Sequence, residues 1–247
     1  MAEIALEGVC KVYANGACGL VDCDLKVAAR EWLVLVGPSG CGKTTTLRLI
    51  AGLEEPTRGV IRIGNKVMNG VPPARRNVAM VFQRPALFPN KTVAKNLAFG
   101  LRLEHGFWGR FSKVQNDGDR RLVGEVAECL GISHLLERRP EQLSGGEQQR
   151  VALGRALIRR TPIGLLDEPL GQLDAPMRLR LRRELPLLRS RFPATMIIVT
   201  HDPAEALALG DRVGIIQDGK ILQVDRPEVV RQRPSHPLVA EFFRDIA

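Results

Sequence analysis

The stretch VLVGPSGCGKTTTLRLIAGL, residues 34–53, constrains this chain more than any other part of it. It contains a match to the phosphate-loop pattern G-x-x-x-x-G-K-[ST], formed by Gly37, Pro38, Ser39, Gly40, Cys41, Gly42, Lys43 and Thr44. The apolar run from Trp32 to Val36 predicts a buried strand before the loop, and the segment from Lys43 to Ala51 predicts a helix after it. A glycine-rich turn before an ordinary helix is the alternative, but the strand–loop–helix context is the one that the motif requires.

Each fixed residue of this pattern has a chemical reason to be there. Glycines let the backbone curl so that consecutive N–H groups point at one spot, and the start of the following helix adds partial positive charge there. Lys43 would supply a full charge for the β- and γ-phosphates, and the Thr44 hydroxyl would ligate Mg²⁺. The sequence therefore predicts a site for a nucleoside triphosphate and its magnesium ion.

Length and composition narrow the class of protein. A chain of 247 residues, 45% of them hydrophobic, fits one large domain or one core with an inserted subdomain. No window of about 18 consecutive apolar residues is present and the N-terminus lacks signal-peptide features, so we expect neither a membrane span nor secretion. The five cysteines show no metal-ligand spacing, which favours reduced thiols in the cytoplasm. Much of the net charge of +9 lies in arginines between residues 178 and 191, where a solvated helix face is the default interpretation.

Polar side chains stand where several predicted strands end. They are Tyr13, Gln83, Asp167, Glu168 and His201. Because α/β sheets bind ligands at the carboxyl ends of strands, Asp167 can hold Mg²⁺ through water and Glu168 can orient or deprotonate an attacking water. Gln83 is either a capped loop end or a group that reaches Mg²⁺ or the water, and for His201 a γ-phosphate contact is favoured over a surface role. Tyr13 is either a strand-boundary residue or a stack for the nucleobase.

Residues 84–160 differ in character, with helical patterns and no clear strand. Within them, Ser144 to Glu147 satisfies the S-x-x-E capping box, so a well-capped helix is one explanation of this segment. That explanation leaves Gly145 and Gly146 unaccounted for, because they lower helix propensity and strip side chains from the end where an anion binds. We therefore expect a second phosphate-binding surface here.

The predicted elements add up to an α/β fold: a P-loop NTPase core with an inserted helical subdomain and an N-terminal antiparallel β region. We expect one domain over residues 1–247, with residues 1–83 and 161–247 as the core and residues 84–160 as the helical subdomain. Asp218-Gly219, between two predicted strands, indicates a hairpin.

With these motifs in order, the chain resembles the ATP-binding subunit of an ABC transporter over essentially residues 2–245. Many NTPases share the phosphate loop, whereas LSGGEQQR at 143–150 is highly specific to that family. The resemblance implies ATP and Mg²⁺ as ligands and ATP hydrolysis as the activity. It also implies that Tyr13 stacks on adenine and that the residues from Gly37 to Thr45 hold the phosphates and Mg²⁺.

The same resemblance gives roles to the residues at the strand ends. Gln83 would be the Q-loop glutamine that reaches Mg²⁺, and Asp167 would be the Walker B aspartate. Glu168 would be the catalytic base, and His201 would be the switch histidine.

The resemblance also implies a partner copy, because two subunits of this family meet head to tail. The partner would be an identical chain or a paralogous ATPase subunit. Ser144 and Gly146 would then touch ATP bound by the partner, and Asp174 would lie beside nucleotide in the D-loop.

Residues 71–101 resemble importers of sugars, polyamines, iron(III) and sulfate-type anions. We therefore expect an importer ATPase on the cytoplasmic face of the membrane, bound to a separate integral membrane permease and served by a solute-binding protein, with no nucleic-acid partner. Many such importers carry a C-terminal β-strand regulatory domain, which we expect to be absent because the sequence stops at Ala247. A soluble ABC ATPase, such as an iron–sulfur cluster assembly factor, and an exporter ATPase are the alternatives.

Three places depart from the family pattern. Four residues separate Pro162 from Asp167, one fewer than is common, and Gly164 weakens the strand predicted there. The D-loop begins Gly171-Gln172 rather than with serine and alanine, and the loop 104–118 is longer than in close relatives. The short spacing and Gly164 both affect the register expected for the strand before Asp167.

Overall fold

A computed structural model describes residues 2–104, 117–190 and 193–244. Its strands are β1 Ile4–Val12, β2 Cys18–Val27, β3 Trp32–Val36, β4 Arg58–Ile63, β5 Lys66–Val67, β6 Val78–Val81, β7 Ile163–Asp167, β8 Thr195–Thr200, β9 Arg212–Gln217 and β10 Lys220–Asp225. Its helices are α1 Lys43–Ala51, α2 Val93–Glu104, α3 Asp117–Cys129, α4 Gly145–Ile158, α5 Ala175–Glu184, α6 Pro203–Leu209, α7 Pro227–Gln232 and α8 Pro237–Phe242. No described helix is long and apolar enough to cross a bilayer.

Residue contacts divide the chain into two compact units. The first unit comprises residues 1–80, 161–168 and 193–247, and the second comprises residues 81–160 and 169–192. Residues 169–192, which the sequence analysis assigned to the core, thus group with the helices.

Two sheets form the framework of the first unit. One is antiparallel, with the strand order β2-β1-β4-β5, and the other has the order β10-β9-β3-β8-β7-β6. In the second sheet, β3 is parallel to β8 and β9, and β7 is parallel to β8. Trp32–Val36 is buried at every position, which explains why its sequence is a continuous apolar run rather than an alternating one. The structure confirms the predicted α/β class and the N-terminal antiparallel region.

The core of the first unit joins residues of both sheets and of α1. Leu6 and Ile61 come from the antiparallel sheet, Leu35 and Ile197 from the other sheet, and Ile50 from α1, and all five are fully buried. Helix α1 is therefore fixed between the sheets by its apolar face, and its amino end lies at the carboxyl end of β3.

The strand before Asp167 is regular. Gly164 pairs with Met196 in parallel register, and a Cβ atom built on Gly164 would lie 2.3 Å from Met196 Sδ. This glycine therefore makes room for a neighbouring side chain and does not interrupt the strand. At the predicted hairpin, Asp218 has φ 49° and Gly219 has φ 76°, as a type I′ turn requires.

Helices build the second unit. Gly154 of α4 lies against Leu97 of α2 and against Val126 and Leu130, so closely that a Cβ atom would stand 2.8 Å from Leu97 Cδ2. Helix α5 ends at Glu184, and Leu185–Ser190, which contains Pro186, continues as a 3₁₀ helix. Most of the long loop predicted at 104–118 lies outside the described residues.

Candidate functional site

The phosphate loop has room only for glycine at two of its positions. A Cβ atom on Gly37 would lie 2.1 Å from the Ile216 carbonyl oxygen, and one on Gly42 would lie 2.3 Å from the Gly19 carbonyl oxygen. Gly42 also has φ 110°, which L-residues rarely adopt. The loop tip, Pro38, Ser39 and Gly40, is exposed. The backbone can therefore form a tight concave turn whose open side faces solvent.

Lys43 is folded back into this loop. Its Nζ donates to the Gly37 and Pro38 carbonyl oxygens at 2.7 Å each, and the residue is only 6% exposed. The ammonium group is thus fixed in the loop by main-chain acceptors. Cys41 is buried beside it, and burial raises the pKa of the Cys41 thiol although Lys43 lowers it. Cys41 is therefore a small residue that fits the loop and not an activated thiol.

The amino end of α1 supplies main-chain donors to the same loop. Among the described residues, no side chain caps Gly42 and no acidic residue stands in the first turn of the helix. The N–H groups of that turn and the positive end of the helix dipole are consequently left for an anion. This uncapped end, the glycine cradle and Lys43 together fit a phosphate group.

Thr44 and Asp167 meet at the start of α1. The Thr44 hydroxyl donates to Asp167 Oδ1 at 3.0 Å, and Asp167 is 4% exposed at the end of β7. Burial raises the pKa of this carboxyl group, and the hydrogen bond from Thr44 opposes that rise. A hydroxyl and a buried carboxylate suit Mg²⁺, which takes few protein ligands and relies on substrate phosphates and waters. Accordingly, the described residues hold no cluster of three or more His, Cys, Asp or Glu side chains that would bind a metal by itself.

Glu168 and His201 form a second pair next to the first. His201 Nδ1 lies 3.3 Å from Glu168 Oε1. Glu168 has φ 46°, in the left-handed region, and its N–H donates to the Val199 carbonyl oxygen of β8. Behind His201, the Thr200 hydroxyl donates to the buried Glu205 carboxylate at 2.7 Å. The ends of β7 and β8 therefore bring the predicted base and the predicted switch histidine together.

Tyr13 is tied to α1 through Thr45. Its hydroxyl lies 3.1 Å from Thr45 Oγ1, and Lys11 Nζ lies 5.2 Å from the centre of its ring. A Cβ atom on Gly19 would fall 2.8 Å from Thr45 Cγ2 and 2.9 Å from Tyr13 Cε2, so this glycine lets the two side chains approach. The sequence analysis missed Gly19, and no local pattern marks it, because its identity is explained by the two side chains that lie opposite it.

The remaining predicted site residues belong to the second unit. The Ser144 hydroxyl accepts from the Glu147 N–H at 3.3 Å, and Glu147 accepts from the Ser144 N–H at 2.7 Å, which confirms the capping box. Hydrogen bonding by Ser144 lowers the pKa of Glu147. Asp174 caps α5 by accepting from the Met177 N–H.

Gly146 and Gln83 share a neighbour in the second unit. A Cβ atom on Gly146 would lie 3.1 Å from the Gln172 carbonyl oxygen, and Gln172 Nε2 donates to the Gln83 carbonyl oxygen at 3.1 Å. Gln172 was noted in the sequence only as a departure from the family pattern. No local periodicity could have shown its contacts, because they join segments far apart in the chain.

Comparison with known proteins agrees with this geometry. The profile that describes ABC transporters matches residues 20–171. The xylose/arabinose import ATP-binding protein XacK of Haloferax volcanii is 46% identical over 98% of this chain and 63% of its own length. The trehalose/maltose import ATP-binding protein MalK of Thermococcus litoralis is 46% identical over 98% of this chain and 64% of its own length. This chain therefore spans less than two thirds of the length of these curated relatives.

A solved structure extends the likeness to three dimensions. The dimeric ATP-binding cassette MJ0796, in a post-hydrolysis state bound to ADP and Pi, aligns with a TM-score of 0.79 at 29% identity and covers 91% of this chain and 98% of its own. This neighbour confirms the predicted P-loop NTPase architecture. Since the profile covers more than half of the sequence and the relatives match nearly all of it, the chain belongs to the ABC transporter family.

Proposed function

We propose that this chain is the ATP-binding and ATP-hydrolysing subunit of an ABC importer and couples hydrolysis to solute transport through a separate membrane permease. The observation that carries the proposal is the pair of contacts at the phosphate loop. Lys43 is fixed inside the loop, and the Thr44 hydroxyl meets the buried Asp167 carboxylate. The phosphate loop thus combines a fixed ammonium group with a neighbouring hydroxyl–carboxylate pair. The phosphates and the Mg²⁺ of a magnesium–nucleotide complex require this combination.

Each residue of the site has a proposed part in binding. Lys43 and the N–H groups at the start of α1 bind the β- and γ-phosphates. Thr44, Asp167 and Gln83 are the proposed protein ligands of Mg²⁺, which when bound neutralises charge on the phosphate oxygens. The ring of Tyr13, fixed at its hydroxyl by Thr45, stacks on adenine.

Glu168 is the proposed general base. Its carboxylate takes a proton from water, the water oxygen attacks the γ-phosphorus, and the bond to the bridging oxygen breaks to release ADP. His201, 3.3 Å from that carboxylate, fixes its orientation and contacts the γ-phosphate. General-base catalysis of this kind contributes about 10²–10⁴ in rate.

A second copy completes the proposed reaction site. The dimeric MJ0796 neighbour supports an assembly of two chains. We propose a head-to-tail arrangement in which Ser144 and Gly146 of one chain contact nucleotide held by Lys43 of the other, with Asp174 beside it. The amino end of α4, where only Ser144 and Glu147 form the cap and two glycines follow, leaves main-chain donors for that contact. The second chain is identical or a paralogue.

The proposed permease contact lies in the segment from Gln83 to Leu101. The buried Asn96 side chain donates to the Phe88, Lys91 and Thr92 carbonyl oxygens and accepts from the Phe88 N–H. Its side chain thus holds the Phe88 loop on α2. A loop fixed in this way offers a defined surface to a membrane partner. The relatives named for sugar import favour an importer over a soluble ATPase or an exporter.

Nucleotide binding and phosphate release by the purified chain test the proposal. Lys43→Ala should weaken ATP binding and stop hydrolysis, and the matched control Lys66→Ala, at an exposed position of β5, should leave both unchanged. Failure of the wild-type chain to bind ATP with Mg²⁺ would end the proposal.

A second experiment tests the importer assignment. Reading frames beside the gene should encode a permease with several membrane spans and a solute-binding protein with a signal peptide, and co-expression with that permease should recruit the chain to membranes. Hydrolysis without any membrane recruitment would favour a soluble ABC ATPase.

We propose in addition that residues 1–247 act as one ATP-binding domain on the cytoplasmic face of the membrane. The first unit would be its α/β core and the second unit its helical subdomain.

A further inference from the structure

Gln172 contacts two segments that the proposed function uses, the main chain at Gln83 and the start of α4. It lies in the loop between Pro169 and Asp174, its side chain is exposed, and Nε2 donates to the Gln83 carbonyl oxygen at 3.1 Å. The side chain therefore reaches the main chain at the residue proposed to contact Mg²⁺. An exposed glutamine gains little from burial, so this hydrogen bond fixes a position more than it stabilises the fold.

The other end of the same amide faces the start of α4. A Cβ atom on Gly145 would lie 3.3 Å from Gln172 Oε1, and one on Gly146 would lie 3.1 Å from the Gln172 carbonyl oxygen. Gly145 and Gly146 therefore leave the space that Gln172 occupies. The glycine pair Gly145-Gly146 thus serves a contact within the chain as well as the proposed anion surface.

The loop that carries Gln172 is itself fixed. Leu170 and Leu173 are buried, and the Leu173 N–H donates to the Leu170 carbonyl oxygen. Asp174 then caps α5 through the Met177 N–H at 2.8 Å. Anchors on both sides of Gln172 make its side chain a defined spacer between the Gln83 main chain and the start of α4.

We propose that Gln172 is a positioning residue that holds the Gln83 segment in register with the signature turn at Ser144–Gly146. This inference rests on the proposed function, because it assigns a use to a spacer between two nucleotide-contacting segments. Gln172 itself need not touch the nucleotide. Its loss should reduce the rate of hydrolysis in the assembled dimer while leaving the affinity of the single chain for ATP unchanged, since that affinity depends on the phosphate loop.

Three substitutions separate the hydrogen bond from simple occupancy of space. Gln172→Ala removes the side chain, and Gln172→Asn keeps the amide but is one methylene too short to reach the Gln83 carbonyl. Gln172→Glu keeps the length, removes both N–H donors and turns a carboxylate oxygen towards that carbonyl. We expect each to lower kcat by about two- to tenfold, the value of one hydrogen bond, with the effect of glutamate at least as large as that of alanine.

The test measures kcat, KM and single-chain ATP affinity for these variants, with Gln232→Ala, at an exposed glutamine of α7, as the matched control. Hydrogen–deuterium exchange of the nucleotide-free chain supplies a readout that needs no hydrolysis. Residues 82–86 should exchange faster in Gln172→Ala than in wild type, and residues of the first unit should not change. A wild-type kcat in Gln172→Glu, or unchanged exchange at 82–86, would overturn the proposal. A wild-type chain that binds no ATP would instead overturn the proposed function, whatever the exchange shows.

Discussion

The backbone of Glu168 gives a prediction in which stability and activity move in opposite directions. Glu168 has φ 46°, although it is not a glycine, and its N–H is bonded to the Val199 carbonyl oxygen. The proposed base is therefore held in a backbone conformation that L-residues avoid. Such strain persists where surrounding structure enforces it, often at functional sites. Replacing Glu168 by glycine should release it.

The expected change in the free energy of unfolding has three contributions, of which the first opposes the other two. Left-handed backbone costs a non-glycine residue about 1–2 kcal/mol. Glycine returns about 0.4–1 kcal/mol of that through the greater freedom of the unfolded chain. The Glu168–His201 contact involves a half-exposed histidine, and exposed pairs of this type contribute about 0–1 kcal/mol. At the central values of these ranges, about 1.5, 0.7 and 0.5 kcal/mol, the first term exceeds the sum of the other two. Glu168→Gly should therefore stabilise the chain by about 0.3 kcal/mol, a rise in Tm of about 1 °C for a chain of this size.

Thermal unfolding without nucleotide, together with phosphate release, measures both effects. Glu168→Gln retains the Cβ atom and the strain, so its Tm should equal that of wild type while its hydrolysis is lost. Arg30→Gly is the matched control for strain, since Arg30 has φ 69° in an exposed turn; it should raise the Tm and leave hydrolysis intact. A lower Tm in Glu168→Gly, or an equal gain in Glu168→Gln, would refute the assignment of strain to this residue.

Three further predictions concern single side chains. Burial raises the pKa of Asp167 above its ordinary 3.8, so the free energy of unfolding falls as the pH rises through that raised pKa. Asp167→Asn should therefore be more stable than wild type at pH 7 without Mg²⁺, and the difference should vanish towards pH 3.8. Denaturant titrations at several pH values measure this difference. Tyr13→Ala should weaken ATP binding by about 0.5–1.5 kcal/mol in equilibrium titrations, and Tyr13→Phe should retain most of the affinity; equal affinities would exclude stacking. Asn96→Ala should cost about 1–3 kcal/mol in denaturant unfolding because it removes the hydrogen bonds that the fully buried Asn96 amide makes to the Phe88 and Lys91 main chain, whereas the exposed Asn90→Ala should cost almost nothing.

The sequence predicted best where the local pattern and the tertiary environment agree. Helix α1 has the predicted bounds, Lys43–Ala51, because the loop glycines end the strand and apolar spacing defines the helix. The acidic pair stands at the end of its strand as predicted, with Asp167 as the last residue of β7 and Glu168 directly after it, since an acidic pair after a buried run leaves few alternatives. The two-residue strand Lys66–Val67 was not predicted, because its exposed residues show no alternation. It exists through its pairing with β4.

What the sequence could not predict depends on contacts between distant segments. Gly164 appeared to weaken β7, yet it accommodates Met196 from the neighbouring strand. Gly19 and Gln172 are likewise explained only by what lies opposite them, Tyr13 in one case and the Gln83 main chain in the other. The motif residues were found without the structure because their chemistry is fixed by the nucleotide. The residues that support them were not, because packing alone determines their identity.

The head-to-tail dimer closed by ATP is the central claim, and size-exclusion chromatography of Glu168→Gln tests it most directly. The substitution removes the proposed base but leaves Lys43, Thr44 and Asp167 in place, so ATP should bind, remain intact and bridge Lys43 of one chain to Ser144 of the other. We predict that Glu168→Gln elutes as a dimer with ATP and Mg²⁺ and as a monomer without nucleotide, and that Lys43→Ala stays monomeric in both. A Glu168→Gln chain that remains monomeric with saturating ATP bound would contradict this account.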